Sequence, residues 1–269
     1  MTRFDRLLIT GAAGALGAVL RDGLAPLART IRLTDRTDLG EAGPNEEIMP
    51  AELGDFEAVM KVVEGCDAIV HFGAAPMERP WAEILNSSIR GGYHIYESAR
   101  RHGIRRVVYA SSIHAVGYVR REAGADTRTE HRPDTLYGLS KCFVEDLARL
   151  YFDKFGIESA LLRINSCYPE PQDRRHLATW LSYPDLVQLV TRCLVAERVG
   201  WTVVYGISDN RERFFSNDAA AHLGYLPQDS AEAYREKVEA QTPAGDQFDP
   251  AIEYVGGFLV AMGHPDDEG

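Results

Sequence analysis

Apolar and polar positions alternate along the chain in blocks that predict strands followed by helices. The apolar run RLLITG ends in glycine, and ALGAVLRDGLAPLA then repeats apolar residues at helical spacing. The runs TIRLTD, DAIVHFGAA, RRVVYASS and ESALLRIN predict further strands, while EIMPAEL is a weaker one because it contains proline. Continuous apolar strands of this kind are typical of a sheet that is buried on both faces.

Helical spacing recurs between these strands. DFEAVMKVVEGC, WAEILNSSIRGGYHIYESARRHG and LYGLSKCFVEDLARLYFDKFG each place their apolar side chains on one helix face. Strands that alternate with helices predict an α/β protein with a doubly wound parallel sheet, the Rossmann fold. We therefore expect a dinucleotide-binding core over residues 1–165.

The alternation weakens after residue 165. The stretch SCYPEPQDRRHLATWLSYPD is rich in proline and polar residues, which is typical of a loop that lines a cleft. A helix at PDLVQLVTRCLVAE, a strand at WTVVYG and helical pieces in SNDAAAHLG and SAEAYREKVEAQ follow it. We expect residues 166–269 to form mainly a small C-terminal substrate-binding lobe, with strands that return to the core sheet.

Composition and charge narrow the function class. The 269 residues are 45% hydrophobic and 26% charged, which is typical of a globular protein, and no apolar run has the length of a membrane span. The net charge of -11 disfavours nucleic acid and anionic membranes as partners. The cysteines lack the spacing of a metal site and suit a reducing compartment; they are Cys66, Cys142, Cys167 and Cys193. We expect a cytoplasmic protein without a metal.

The turn after the first strand carries the glycines of a nucleotide site. TGAAGALG supplies Gly11, Gly14 and Gly17, whose spacing lets the backbone approach a pyrophosphate at the N-terminus of the next helix. Asp35 ends the second strand, where a carboxylate accepts hydrogen bonds from a ribose and repels a 2′-phosphate, so NAD is favoured. Arg36 beside it keeps NADP as the alternative. Gly73 and Ala74, after the fourth strand, are small residues against which a cofactor could lie, with a plain tight turn as the alternative.

Tyr137 and Lys141 stand four residues apart in DTLYGLSKCF, on one face at the start of a predicted helix. Asp134 or Thr135 would cap that helix. A close ammonium and a positive cofactor ring would favour the phenolate and move the pKa of Tyr137 toward that of a usable general base. On spacing alone, such a pair is more often a surface feature than a reaction centre.

Two serines at the end of the fifth strand strengthen the catalytic interpretation. Ser111 and Ser112 close RRVVYASS at the carboxyl edge of the sheet, where open α/β sheets bind ligands. Ser112 would donate a hydrogen bond to the same substrate oxygen that Tyr137 deprotonates. Ordinary turn formation is the alternative role for both serines.

Taken together, TGAAGALG, Asp35, SSIHAVG and YGLSK resemble the extended short-chain dehydrogenase/reductase superfamily, the NAD-dependent epimerase/dehydratase group. AGPNEE, DTLYGLSKCF, YFDKFGIE, RINSCYPEP and ATWLS are similar to the uronate dehydrogenases within it. The resemblance implies oxidation at C1 of a hexuronic acid, galacturonate or glucuronate, to an aldarolactone, with NAD taking the hydride. It implies Ser112, Tyr137 and Lys141 as the catalytic residues. The cofactor contacts that it implies beyond the glycines and Asp35 are Ala15, Leu16, Glu52, Leu53, Phe72, Gly73, Ala74, Tyr137, Lys141 and Ile164. We also expect a homo-oligomer.

The same resemblance implies a set of substrate contacts, which are Pro76, Ser112, Ile113, His114, Ser166 and Arg175. Arg175 matches the position that holds the carboxylate, which an arginine can do with two hydrogen bonds. Arg174 is its neighbouring alternative.

Three positions depart from the uronate dehydrogenase pattern. Ile113 replaces an amide, Pro76 replaces a serine, and Ser88 replaces an asparagine. Fewer polar groups make the pocket more apolar, and hydrogen-bonding groups are the ones that discriminate strongly between substrates. Dehydrogenation of another sugar, sugar phosphate or alcohol therefore stays an alternative, as do a nucleotide-sugar epimerase or dehydratase and a non-catalytic NAD-binding regulator.

Overall fold

The computed structural model describes residues 2–246 and 248–267, so positions 1, 247, 268 and 269 of the predicted core and lobe lie outside the described residues. Within these ranges the strands are β1 Phe4–Thr10, β2 Ala28–Thr34, β3 Glu46–Ile48, β4 Ala68–His71, β5 Arg106–Ser112, β6 Ala125–Asp126, β7 Glu158–Ile164, β8 Ser166–Cys167, β9 Trp180–Leu181, β10 Trp201–Gly206 and β11 Phe215–Ser216.

Seven of these strands form one parallel sheet in the order β10-β7-β5-β4-β1-β2-β3. The chain starts at β1 in the middle, moves to one edge through β2 and β3, and crosses to the other side at β4. The carboxyl ends of β1 and β4 therefore flank the topological switch point, where doubly wound sheets bind their ligands. The predicted α/β fold class is confirmed. Of the strand predicted at EIMPAEL, only Glu47 and Ile48 belong to β3.

The α-helices within the described ranges are α1 Ala15–Leu24, α2 Phe56–Val63, α3 Trp81–Glu83, α4 Gly91–Arg101, α5 Leu136–Phe155, α6 His176–Thr179, α7 Tyr183–Val195, α8 Arg235–Gln241 and α9 Pro250–Glu253. The single long helix predicted from residue 81 is instead three segments, because a π-helical stretch, Ile84–Arg90, separates α3 from α4. Single π-helical turns inside α-helices are frequent at functional sites. This one directs Ser88 toward the sheet edge.

Side chains that alternate along the strands build a core on each face of the sheet. On β1, Leu7 packs with α1 and α7, whereas its neighbour Leu8 packs with the layer of α2, α4 and α5. The predicted strand β10 thus belongs to the sheet, and the predicted helix α7 belongs to the layer that covers it. The stretch predicted as a cleft loop holds short elements, β8, α6 and β9.

The remainder of the chain lies over the carboxyl edge of the sheet. Strand β11 pairs with β6, and residues 254–256 run beside residues 117–120. Among the described residues, no helix is both long enough and apolar enough to cross a membrane.

Candidate active site

A cavity of about 700 Å³ opens at the carboxyl ends of β1, β2, β4, β5 and β7. This volume lies within the ~300–1,000 Å³ range of small-molecule sites. Every site residue predicted from the sequence lines it: Gly11, Gly14, Ala15, Leu16, Gly17, Asp35, Glu52, Leu53, Phe72, Gly73, Ala74, Pro76, Ser112, Ile113, His114, Tyr137, Lys141, Ile164, Ser166 and Arg175. The fold therefore brings the predicted cofactor-binding residues and the predicted catalytic and substrate-binding residues into one cavity.

The glycine turn between β1 and α1 has no room for side chains. Gly11 has φ +70, and a Cβ atom on it would lie 2.6 Å from the backbone nitrogen of Gly73. A Cβ atom on Gly17 would lie 2.1 Å from the carbonyl oxygen of Gly11. The N-terminus of α1 receives no side-chain hydrogen bond at its cap, Gly14. Its free amides and helix dipole suit a pyrophosphate, so these residues fit a dinucleotide.

Asp35 is fixed beside this turn at the end of β2. One carboxylate oxygen accepts a hydrogen bond from the Ala13 amide at 3.1 Å and the other from the Thr37 amide at 3.0 Å. Arg36 lines the cavity as well, but its guanidinium lies 3.7 Å from the Glu83 carboxylate and its side chain is 60% exposed. The carboxylate is thus held rigidly where an adenosine ribose would lie, and the arginine is loosely held.

We expect Asp35→Ser to raise use of NADP relative to NAD by about tenfold or more. The substitution removes a carboxylate that repels a 2′-phosphate, and like-charge contacts cost several kcal/mol. Arg36, which lines the same part of the cavity, is a cation that can then bind that phosphate. The measurement is kcat/KM with each cofactor. Asp38→Ser, in the exposed loop that follows, is the matched control and should keep the wild-type ratio; an unchanged ratio in Asp35→Ser would contradict the assignment.

Helix α5 carries Tyr137 and Lys141 into the cavity. Of the two candidate caps, Thr135 is the N-cap, since its hydroxyl accepts a hydrogen bond from the Gly138 amide. The buried Lys141 ammonium donates to the carbonyl oxygen of Ala110 at 2.7 Å and lies 5.2 Å from the centre of the Tyr137 ring. The predicted common face of the two side chains is therefore present.

Burial disfavours the charged form of both side chains of this pair. Burial raises the pKa of Tyr137 to about 12, although the Ser112 side chain opposes this shift. Burial also lowers the pKa of Lys141 to about 7, against the attraction of Glu145. Desolvation of the phenolate therefore outweighs its partners in the protein alone. The predicted shift of Tyr137 toward a usable base includes a positive cofactor ring and stays a prediction. An added positive charge beside Tyr137 is needed to offset that cost.

The two strand-end serines point in different directions. Ser111 donates a 2.5 Å hydrogen bond to Glu145, a fully buried carboxylate that also binds Arg163 through two hydrogen bonds. Ser112, one residue on, accepts a hydrogen bond from the His114 amide and contacts the Tyr137 phenol. Alternation of side chains along β5 gives Ser111 a structural contact and leaves Ser112 in the cavity.

His114 and Asp134 form a pair beside Tyr137. The His114 Nδ1 lies 2.8 Å from an Asp134 carboxylate oxygen, and the imidazole packs edge-on to the Tyr137 ring at 5.7 Å. The Asp134 side chain is fully buried. Its hydrogen bond fixes the orientation of the imidazole at the wall of the cavity.

Arg175, rather than Arg174, faces the cavity. Its guanidinium donates to Ser166 Oγ at 2.9 Å and to the Val255 carbonyl oxygen at 2.8 Å, while its buried Nε has no acceptor. Arg174 instead donates to the carbonyl oxygens of Thr242 and Glu239. Of the two arginines that the sequence offered for the substrate carboxylate, only Arg175 therefore lines the cavity.

The three departures from the family pattern have different surroundings. Ile113 lines the cavity but packs mainly into an apolar cluster that includes Tyr205 and Val255. Pro76 is exposed at the cavity wall. The buried Ser88 accepts a hydrogen bond from the Ala75 amide at 3.2 Å and so holds the loop after β4. Ile113 and Pro76 thus contribute apolar groups to the wall, while Ser88 supports the loop behind it.

Sequence reasoning missed Glu78, a buried carboxylate in the loop after β4. Its two oxygens accept hydrogen bonds from the backbone amides of Leu136 at 3.1 Å and Tyr137 at 2.8 Å. These are the first amides of α5, which lack partners within the helix. Glu78 therefore fixes the start of the helix that presents Tyr137; nothing in the local sequence ERP signals this long-range contact.

Comparison with known proteins identifies the family. A family model described as the NAD dependent epimerase/dehydratase family matches residues 7–221. The chain belongs to this family. Its relatives include the uronate dehydrogenase of Pseudomonas putida, which is 50% identical over 97% of this chain and 98% of that protein.

Solved structures of family members match the described fold closely. The glucuronic acid dehydrogenase from Chromohalobacter salexigens is 51% identical, with a TM-score of 0.97 over 98% of this chain and 99% of that one. A tyrosine-to-alanine mutant of the uronate dehydrogenase from Agrobacterium tumefaciens, complexed with NAD, is 46% identical, with a TM-score of 0.94 over 96% and 98% of the two chains. No group of His, Cys, Asp and Glu side chains within residues 2–246 and 248–267 could hold a metal ion.

Proposed function

We propose that this protein is an NAD-dependent uronate dehydrogenase, which oxidises C1 of galacturonate or glucuronate in the pyranose form to an aldarolactone. The observation that carries the proposal is the meeting, in one cavity, of Ser112, Tyr137 and Lys141 with the Ser166-bound Arg175. About 50% identity to uronate dehydrogenases over nearly the whole length supports the same reaction.

The glycine turn, Asp35 and the backbone at Gly73 are the residues that would hold NAD. NAD, when bound, supplies the acceptor for the hydride and a positive charge on its oxidised ring. The fit rests on the turn between β1 and α1, which excludes side chains and leaves helix amides free, and on the fixed Asp35 carboxylate.

Tyr137 acts as the general base for the C1 hydroxyl. The phenolate takes the hydroxyl proton while the C1 hydride leaves, and the C1–O bond becomes the lactone carbonyl because the ring oxygen is already on C1. Its pKa of about 12 in the protein alone keeps the phenol neutral at pH 7. A positively charged ring of bound, oxidised NAD would lower that pKa, so proton removal would be coupled to cofactor binding.

Ser112 and Lys141 support this proton transfer in different ways. Ser112 lies against the phenol and orients the substrate oxygen by a hydrogen bond. Lys141 is anchored by the Ala110 carbonyl, so its ammonium keeps a fixed place near the Tyr137 ring and the cofactor ribose side of the cavity. A fixed ammonium needs little reorganisation when the phenolate forms.

Arg175 binds the substrate carboxylate. Its Nε is buried without an acceptor, and a carboxylate would satisfy it with a charge-assisted hydrogen bond. Because Ser166 and Val255 hold the terminal nitrogens, the direction of the guanidinium is set before substrate arrives. Residues 166–269 would thus supply mainly substrate contacts, and residues 1–165 the dinucleotide site and the reactive groups.

We also propose that the protein acts as a cytoplasmic homo-oligomer. Large apolar side chains are exposed along α4 and α5; they are Tyr93, Leu139, Phe143, Leu150 and Phe155. Such patches are typical of protein interfaces. All four cysteines are free thiols, which suits a reducing compartment.

The test is a screen of sugar acids, sugars, sugar phosphates and alcohols with NAD and NADP, followed by absorbance of reduced nicotinamide. We expect turnover of galacturonate and glucuronate with NAD and formation of the corresponding aldarolactone. Turnover of another alcohol with neither uronate active would overturn the substrate assignment and leave the oxidoreductase class. No reduction of NAD with any alcohol, with tight NAD binding, would favour an isomerase, a lyase or a regulator.

A further inference from the structure

Residues 254–260, here named the C-terminal strap, cross the substrate end of the cavity. The strap runs antiparallel to residues 117–121: the Val255 amide donates to the Val119 carbonyl at 2.9 Å and the Gly256 amide to the Gly117 carbonyl at 2.9 Å. The Arg121 guanidinium donates to the Tyr254 carbonyl oxygen at 3.1 Å. These contacts join the strap to the segment that follows the catalytic strand β5.

The strap also lies against Arg175 in the cavity and Asp134 behind it. A Cβ atom on Gly257, which has φ +68, would lie 2.6 Å from Arg175 Nε. A Cβ atom on Gly256 would lie 1.8 Å from an Asp134 carboxylate oxygen. The backbone of the strap therefore lies directly against Arg175 and against the carboxylate that orients His114.

Two side chains of the strap line the cavity, and they differ in burial. Leu259 is buried and anchors the strap. Phe258 is 58% exposed although it is a large apolar side chain, and it too lines the cavity. Core packing does not account for the place of Phe258. An aromatic ring at this position offers a face against which the apolar face of a pyranose can lie.

We propose that the C-terminal strap is a specificity element of the substrate site, which rests on the proposed function of the cavity. Phe258 covers the sugar ring, while Val255 and Gly257 set the direction of Arg175 toward the carboxylate. Arg175 and Phe258 line the same cavity, so one sugar acid contacts both. A sugar that carries a nucleotide diphosphate would have to displace the strap.

The test compares steady-state kinetics of Phe258→Ala, Phe258→Tyr and Gly257→Ala. We expect the KM for galacturonate to rise about tenfold in Phe258→Ala, because the sugar loses contact with roughly one aromatic ring face. The KM for NAD should stay within about twofold of wild type. Phe258→Tyr keeps the ring and should restore the wild-type KM. Gly257→Ala displaces Arg175 and should raise the same KM by about tenfold or more.

Gly103→Ala is the matched control for backbone strain. Gly103 has φ +73 with open space around its Cβ position, at the end of α4 and away from the cavity. It should keep both KM values. A wild-type KM for the sugar acid in Phe258→Ala, or an equal rise in the KM for NAD, would overturn the proposal.

Failure of the proposed function gives a different result. Wild-type protein would then not oxidise either uronate, and the same variants would be measured with the alcohol identified in the substrate screen. A selective change in the KM for that alcohol would support the strap as a specificity element. An unchanged KM would overturn it.

Discussion

Tyr137→Phe should lower kcat for uronate oxidation by roughly 10²- to 10⁴-fold, the contribution of general base catalysis. The substitution removes only the phenolic oxygen, since the ring keeps its contacts with His114 and with the Lys141 ammonium. NAD affinity should therefore stay within about twofold of wild type, an expectation that quenching of protein fluorescence by NAD can test. Stopped-flow absorbance of reduced nicotinamide measures the hydride step itself.

The pH profile separates loss of the base from a structural defect. A general base acts when deprotonated, so wild-type kcat should rise with pH until the pKa of Tyr137 in the complex is reached. The Phe variant should lack this rise. Tyr93→Phe, whose ring is 45% exposed on α4, is the matched control with wild-type kinetics. Full activity in Tyr137→Phe would exclude the mechanism.

Arg175→Met should lower kcat/KM for galacturonate by roughly 10- to 150-fold, the value of a charge-assisted hydrogen bond of ~1.5–3 kcal/mol. Methionine has a similar reach but cannot bind a carboxylate. The effect should fall mainly on KM, because the carboxylate stays bound during the reaction and is distant from C1. The measurement is steady-state kinetics at saturating NAD.

Two comparisons make this result specific to the carboxylate. The preference for galacturonate over galactose, which has a hydroxymethyl group in place of the carboxylate, should decrease in Arg175→Met. Arg174→Met removes the neighbouring guanidinium, which contacts the carbonyl oxygens of Thr242 and Glu239, and should leave that preference unchanged. An equal loss for both sugars in Arg175→Met would assign Arg175 a structural role.

Local sequence was enough to predict the framework of the site. The strand–glycine–helix order, the Asp35 position and the Tyr137–Lys141 spacing each depend on a few consecutive residues, and backbone geometry converts such spacing directly into a shared face or turn. The parallel direction of the strands follows from the same alternation, because parallel strands need crossover connections. The glycine turn and the α5 pair therefore lie where the sequence predicted them.

Only the tertiary structure decided the direction and the charge of the reactive groups. Adjacent residues such as Ser111 and Ser112 are equivalent in a sequence, but the pleat of β5 sends one to Glu145 and the other to the cavity. The pKa of Tyr137 depends on burial by distant segments, which outweighs its local partners.

Contacts between segments far apart in the chain could not be predicted from local sequence either. Glu78 reaches the first amides of α5, and the C-terminal strap reaches Arg175 from the other end of the protein. Neither contact leaves a periodic or spaced signal, because the partners meet only after the sheet has formed. The sequence alone determined the fold class; the packing of the folded chain decided which of the predicted side chains, and which of their neighbours, meet in the cavity.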